Sequence, residues 1–161
     1  MYAIGYDIGS SSVKASIVRT DDGVLVAHGK YPGSEMPISA PQPGWAEQDP
    51  EIWWQNVCIL TRSLIKQKYI EPSLIQSIGI SYQMHGLVLV NKNKQVLRPS
   101  IIWCDSRAGS YGEKAHNTLG ADYTLGHLLN SPGNFTASKL KWVLENEPAL
   151  SDRIDKWILP G

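Results

Sequence analysis

Tyr2-Ala3-Ile4-Gly5-Tyr6-Asp7, Val13-Lys14-Ala15-Ser16-Ile17-Val18-Arg19 and Val24-Leu25-Val26-Ala27-His28-Gly29-Lys30-Tyr31 are three short β-rich runs in succession, and the way they are joined decides the fold. Gly9-Ser10-Ser11-Ser12 separates the first two, and Asp21-Asp22-Gly23 separates the second and third. Asp-Gly between such runs is a strong hairpin signal, because a tight turn needs residues that tolerate positive φ. The opening therefore predicts three antiparallel strands. Working outward, Pro32, Pro37, Pro41 and Pro43 make 32–48 an irregular loop. Asp49-Pro50-Glu51 is a helix entrance: Asp caps free amides, Pro fits the first helical position, and Glu complements the dipole. Trp53, Val57, Leu60 and Leu64 then mark one buried helical face.

Further along, 75–80 and 87–90 read as strands, Asn91-Lys92-Asn93-Lys94 as a polar turn, and 101–103 as a short buried strand. Asp105 is expected to cap a helix starting at Ser106, and Thr136 one carrying Leu140, Val143 and Leu144. Trp157-Ile158-Leu159 closes the chain as a strand expected to lack a partner within it. Strands followed by alternating helices and strands predict a mixed α/β sheet.

The 161 residues suffice for one domain with a real core. Lys plus Arg equals Asp plus Glu at 15 each, with no long run of one sign, so nothing favours nucleic acid or an acidic membrane. Cys58 and Cys104 lack zinc spacing and read as small, reduced core residues, a usage that fits the cytoplasm. No signal peptide or membrane-length apolar run is evident. Of the six tryptophans, Trp53, Trp54, Trp142 and Trp157 read as packing anchors.

Three motifs can carry chemistry. In Asp7-Ile8-Gly9-Ser10-Ser11-Ser12-Val13-Lys14, Gly9 permits close backbone approach, successive amides can form an anion-binding concavity, and Lys14 adds a point charge for phosphate. Asp7 can hold Mg²⁺, which favours a few carboxylates plus phosphate. The turn is neither a Walker A loop nor G-x-G-x-x-G, and on spacing alone it reads first as an ordinary hairpin. Ser81-Tyr82-Gln83-Met84-His85-Gly86 lies between two strands, where a sheet opens toward a crevice. Neutral His85 can donate and accept hydrogen bonds, which suits a sugar, although a structural histidine has the same appearance. In Ile101-Ile102-Trp103-Cys104-Asp105-Ser106-Arg107, Trp103 offers a flat face for sugar carbons while Asp105 and Arg107 can satisfy hydroxyls. Taken alone, Trp103 reads first as core.

The order of these motifs is more specific than any one of them. Asp7–Lys14, Gly44-Trp45-Ala46-Glu47-Gln48-Asp49-Pro50-Glu51-Ile52-Trp53-Trp54, Gln83-Met84-His85-Gly86, Arg98–Arg107 and Asn134-Phe135-Thr136-Ala137-Ser138-Lys139-Leu140-Lys141-Trp142 follow one another as in the FGGY carbohydrate kinases. The chain resembles that family over essentially its whole length, and within it the D-xylulokinases, whose hallmark is Gln-Met-His-Gly. The resemblance implies a ribonuclease H-like, actin- or hexokinase-type α/β fold, with residues 1–161 forming the N-terminal part of the first of two domains. It implies that Met84 and His85 contact the sugar, with Trp103, Asp105 and Asn134 nearby. It places Asp7, Gly9, Ser10, Ser11 and Lys14 against ATP phosphates and Mg²⁺, with Asp7 supporting catalysis through the metal. Ser10 stands where Thr is commoner and keeps the hydroxyl. The Trp45–Trp54 segment is expected to be structural, a helix entrance packed onto the sheet.

The activity so implied is ATP-dependent phosphorylation of a ketopentose, D-xylulose to D-xylulose 5-phosphate. Gluconate, glycerol or another pentulose are the alternative substrates, and a non-catalytic sugar-binding module is the alternative class. An actin-like or chaperone ATPase leaves Gln-Met-His-Gly unexplained. The family's general-base Asp and its nucleotide domain are expected beyond Gly161, so this chain alone is expected to be inactive. Expected partners are a small sugar and ATP, with no nucleic acid or membrane, and a homodimer is compatible with them.

Overall fold

A computed structural model describes residues 1–161. In chain order its elements are β1 (Tyr2–Ile8), β2 (Val13–Arg19), β3 (Leu25–Tyr31), β4 (Glu47–Gln48), α1 (Pro50–Lys68), β5 (Ile75–Tyr82), β6 (Val88–Val90), β7 (Ser100–Ile101), α2 (Gly109–Leu119), α3 (Ala121–Leu128), α4 (Thr136–Asn146), α5 (Pro148–Ser151) and β8 (Lys156–Ile158). They fall into two units: Met1–Pro37 with Glu51–Gln83 and Gly161, and Ile38–Pro50 with Met84–Pro160. No helix is long and apolar enough to cross a membrane.

The first unit is a four-stranded sheet in the order β3-β2-β1-β5. β1, β2 and β3 pair antiparallel as expected, and β5 joins β1 in parallel, so the sheet is mixed. The Asp-Gly turn forms where the sequence puts it: Gly23 has φ 71°, its N–H donates to the Arg19 carbonyl, and Arg19 binds Asp22. Alternation sends Ile4, Ile8, Val13, Ala15 and Ile17 to one face, all buried. α1 covers that side of the sheet. The Tyr6 hydroxyl lies 2.7 Å from Thr61 Oγ1, and Gly29 lies close under Leu60 and Leu64. Pro50 opens the helix as predicted, and Trp53, Leu60 and Leu64 are buried. Asn56 replaces Val57 as the fourth fully buried position, its amide donating to Met36 Sδ. Trp54 is not an anchor here, being 64% exposed.

The second unit packs Leu87, Leu89, Ile101 and Val143 into a core, flanked by Leu97, Leu140, Trp142, Leu150 and Ile154. β4 pairs with β7 and β6 with β8, both antiparallel. The closing strand thus has a partner in the chain, contrary to expectation, because 88–90 offers a free ladder edge to 156–158. Its own side chains stay exposed, and Trp157 is not a core anchor. Residues 32–48 are mostly irregular, with β4 and a bridge from Ser39 to Glu47 as the exceptions.

Other local expectations are corrected by long-range partners. The strand expected at 101–103 ends at Ile101, since the Ile102 N–H turns to the Ala46 carbonyl. Asp105 caps no helix: α2 starts at Gly109 without a side-chain cap, and the Asp105 carboxylate is held by other donors. Thr136 is the first residue of α4 rather than its cap, and its hydroxyl donates to the Gly86 carbonyl at 3.3 Å. Leu144 is exposed. The cysteines are both free, but Cys58 is only partly buried and Cys104 is exposed, so neither is a core residue.

Candidate functional site

The turn after β1 belongs to the first unit. It is closed by the Gly9 N–H, which donates to the Ser12 carbonyl at 3.1 Å, so that amide is used inside the turn. The Ser11 carbonyl accepts the Met36 N–H at 2.8 Å, tying the turn to the following loop. Asp7 and Lys14 face each other across the β1–β2 ladder, with Nζ 3.0 Å from Oδ2 and both side chains about half exposed. Such a pair contributes only ~0–1 kcal/mol to stability, so both charges are available to a ligand at little cost. No cluster of three His, Cys, Asp or Glu side chains forms a ready metal cage. Asp7 alone fits the sparse carboxylate set that Mg²⁺ accepts when phosphate and water complete its shell.

In the second unit, Met84-His85-Gly86 forms the bend entering β6. Met84 is 65% exposed and offers a polarizable apolar surface. His85 adopts φ 60°, a strained left-handed conformation for a residue with a β-carbon. Its ring stacks on Phe135, with centroids 4.7 Å apart and planes at 16°. Burial, and secondarily the Lys139 cation, push its pKa below the ordinary 6.5. At neutral pH the imidazole is uncharged and can both donate and accept. Gly86 is needed here because any β-carbon would collide with the Pro160 ring.

Trp103 and Asp105 follow β7 and have opposite fates. Trp103 is 46% exposed, which suits a stacking platform and departs from its expected core role. Asp105 is 1% exposed, and its carboxylate is occupied by protein donors. It accepts from the Ala46 N–H at 2.6 Å, the Arg107 N–H at 2.9 Å, and the Arg107 guanidinium through Nε and Nη2. Arg107 also binds Glu47 at 2.7 Å, and Glu47 in turn binds Arg98, which reaches Glu147 at 2.6 Å. The guanidinium lies 3.7 Å from the Trp45 ring centroid and 5.0 Å from that of Trp142. Thus the Gly44–Glu47 stretch is structural, but it packs on this charged network and not as an extension of α1. Gly44, at φ 79°, is required where a β-carbon would come within 2.5 Å of Ser106 Oγ.

Asn134 sits just before α4 and donates from Nδ2 to the Trp103 carbonyl. Its Oδ1 is buried and has no protein partner, a free acceptor beside the Trp103 loop. The structure brings His85, Phe135, Asn134 and Trp103 together through the segment that leads into α4, while Met84 belongs to the same bend as His85. Lys139 is the residue that sequence reasoning missed. Fully buried, it donates from Nζ to the His85 carbonyl at 2.8 Å and the Ile102 carbonyl at 3.0 Å. A lysine among polar helix residues carries no local mark of burial, and only its neighbours reveal the role.

Residues 2–161 match the FGGY family of carbohydrate kinases, N-terminal domain, and the chain belongs to that family. Its α/β fold is the actin- or hexokinase-like one of those sugar kinases. Xylulose kinase of Klebsiella pneumoniae is 37% identical over 159 residues, covering 98% of this chain and 31% of that protein. A "xyloylose kinase" structure from Brucella ovis superposes with a TM-score of 0.86 at 35% identity, covering 99% of this chain and 32% of that one. Xylulose kinase from Rhodospirillum rubrum gives 0.81 at 29% identity, covering 98% and 32%. The chain therefore spans about a third of the length of the curated relatives it matches.

Proposed function

We propose that this chain supplies sugar-contacting and phosphate-facing residues to an ATP-dependent kinase of a ketopentose, with D-xylulose as substrate and D-xylulose 5-phosphate as product. The observation that carries this reading is the Met84-His85 bend, which pairs an exposed thioether with an imidazole held neutral and stacked on Phe135. A neutral imidazole can bridge two hydroxyls of a polyol, and Trp103 offers a face to its carbons. Asn134 stands beside this face, its Nδ2 donating to the Trp103 carbonyl and its Oδ1 an unpaired acceptor beneath the loop. Asp105 serves this site from behind, by shaping the loop that carries Trp103, because its oxygens already hold protein donors.

Phosphoryl transfer forms a bond from the sugar hydroxyl oxygen to the γ-phosphorus and breaks the bond to the ADP leaving oxygen. The hydroxyl proton passes to a carboxylate expected outside these 161 residues, and Lys14 meets phosphate charge. Mg²⁺, when bound through Asp7, would neutralise phosphate charge. The kinase is read as a cytoplasmic enzyme of sugar metabolism.

ADP release by the intact protein, coupled to a sugar panel, tests this. D-xylulose should give the highest kcat/KM, and His85→Ala should abolish sugar-dependent turnover. Preference for gluconate or glycerol would replace the substrate, and sugar binding without turnover would replace the class. The 161-residue chain alone should release no ADP with any sugar.

A further inference from the structure

The segment Asn134–Lys139, which enters α4 and forms its first turn, gathers ties to both loops that bear the sugar-facing residues. Lys139 Nζ bonds the His85 carbonyl at 2.8 Å and the Ile102 carbonyl at 3.0 Å. Thr136 Oγ1 bonds the Gly86 carbonyl at 3.3 Å. Phe135 stacks on the His85 ring, and Asn134 bonds the Trp103 carbonyl. Two loops separated in sequence thus share one buried ammonium.

His85 needs such a hold. Its φ of 60° costs of order 1–3 kcal/mol and persists only where neighbours over-determine it. Here two consecutive carbonyls, those of His85 and Gly86, are fixed by side chains of one helical turn. A buried ammonium is itself unfavourable unless its donors are used. Lys139 has 0% exposure, and desolvation lowers its pKa to about 8. A residue kept so deep, bonded to two loop carbonyls, does something that an apolar side chain of the same volume would not.

We propose that Lys139, with Thr136, is a positioning element for sugar recognition, locking the His85 and Trp103 loops into one geometry. The inference rests on the reading of His85 as a sugar contact. Neither side chain needs to touch the sugar, so their removal should act on the sugar step and leave the nucleotide step alone.

The test is steady-state kinetics on the intact protein with D-xylulose and ATP varied separately. Lys139→Met removes the donors at similar volume and is expected to raise the sugar KM about tenfold or more, the loss of roughly one charge-assisted hydrogen bond. ATP KM should stay within about twofold, since the phosphate-facing turn belongs to the other unit. Thr136→Val, a milder change at a partly buried site, should raise the sugar KM about threefold and serves if Lys139→Met does not fold. An unchanged sugar KM in a folded variant overturns the inference while leaving the sugar-kinase reading intact. An equal rise in ATP KM overturns it too, as general damage. A wild-type protein that neither binds nor phosphorylates any sugar overturns the functional reading, and the inference falls with it.

Discussion

The imidazole of His85 lies nearly parallel to the ring of Phe135, centroids 4.7 Å apart and planes at 16°, so the orientation of its nitrogens is set by the residue that precedes α4. Stacked aromatic pairs contribute ~0.5–1.5 kcal/mol beyond burial. Phe135→Leu should therefore keep the fold, lower thermal stability slightly, and weaken sugar binding about threefold to tenfold. Calorimetric titration with D-xylulose reads it; unchanged affinity would mean that ring orientation does not matter.

Acid should weaken both binding and stability through the same ring. Burial holds the folded His85 pKa below 6.5, so as pH falls from 7 the unfolded chain takes up this proton before the folded one does. The unfolded state then binds more protons, and stability drops as pH falls through the window below 6.5. NMR titration of the His85 ring should give a midpoint under the free-histidine value, and Lys139→Met should raise it by removing a nearby cation. A midpoint above 6.5 would refute the assignment.

Lys139 has the same sign of pH dependence, in a more alkaline window. Its pKa falls from 10.5 to about 8, mainly by burial, with Arg107 lowering it further and Asp105 and Cys104 opposing. Between those values the unfolded lysine is charged and the folded one is not, so the unfolded state holds more protons and stability rises with pH. Urea unfolding from pH 7 to 10 should show wild type gaining stability relative to Lys139→Met. Parallel curves for the two proteins would contradict a buried, titrating Lys139.

Arg107 is the keystone of a buried charge network, its side chain 1% exposed between Glu47 and Asp105. Removing one member of such a pair leaves a buried charge uncompensated and typically costs about 3–5 kcal/mol. Arg107→Met should lose stability on that order in chemical denaturation, and Glu47→Gln in the same chain should recover part of it. A loss under about 1 kcal/mol would place the network in the class of surface pairs.

Lys14 and Asp7 form an exposed pair, so Lys14→Ala should barely change the melting temperature. If Lys14 meets phosphate, the ATP KM should rise about tenfold while the sugar KM holds. A selective change in sugar KM would move Lys14 away from the nucleotide.

Much of the first unit is legible because its determinants are local. The alternation of Ile4, Ile8, Val13, Ala15 and Ile17, the Asp22-Gly23 turn and the Asp49-Pro50 helix entrance each act over a few residues. Turn chemistry and side-chain periodicity operate at that range, although Asn56 in place of Val57 on the buried face of α1 shows that the period alone does not fix every position. The same holds for the motif positions, Asp7–Lys14 across the β1–β2 turn and Gln83–Gly86 after β5.

The roles inside those motifs are different, because they depend on partners remote in sequence. Asp105 has the composition of a helix cap and of a sugar ligand, yet Ala46, 59 positions away, takes up its carboxylate together with Arg107. Lys139 looks like a solvated helix residue, yet it is buried against the His85 carbonyl, 54 positions away. By itself the sequence determined the three opening strands, the Asp22-Gly23 turn, α1 and the order of the motifs. Only the tertiary structure decided which polar side chains are left exposed and which brace the loops, since a buried hydrogen bond depends on the groups that packing brings within reach.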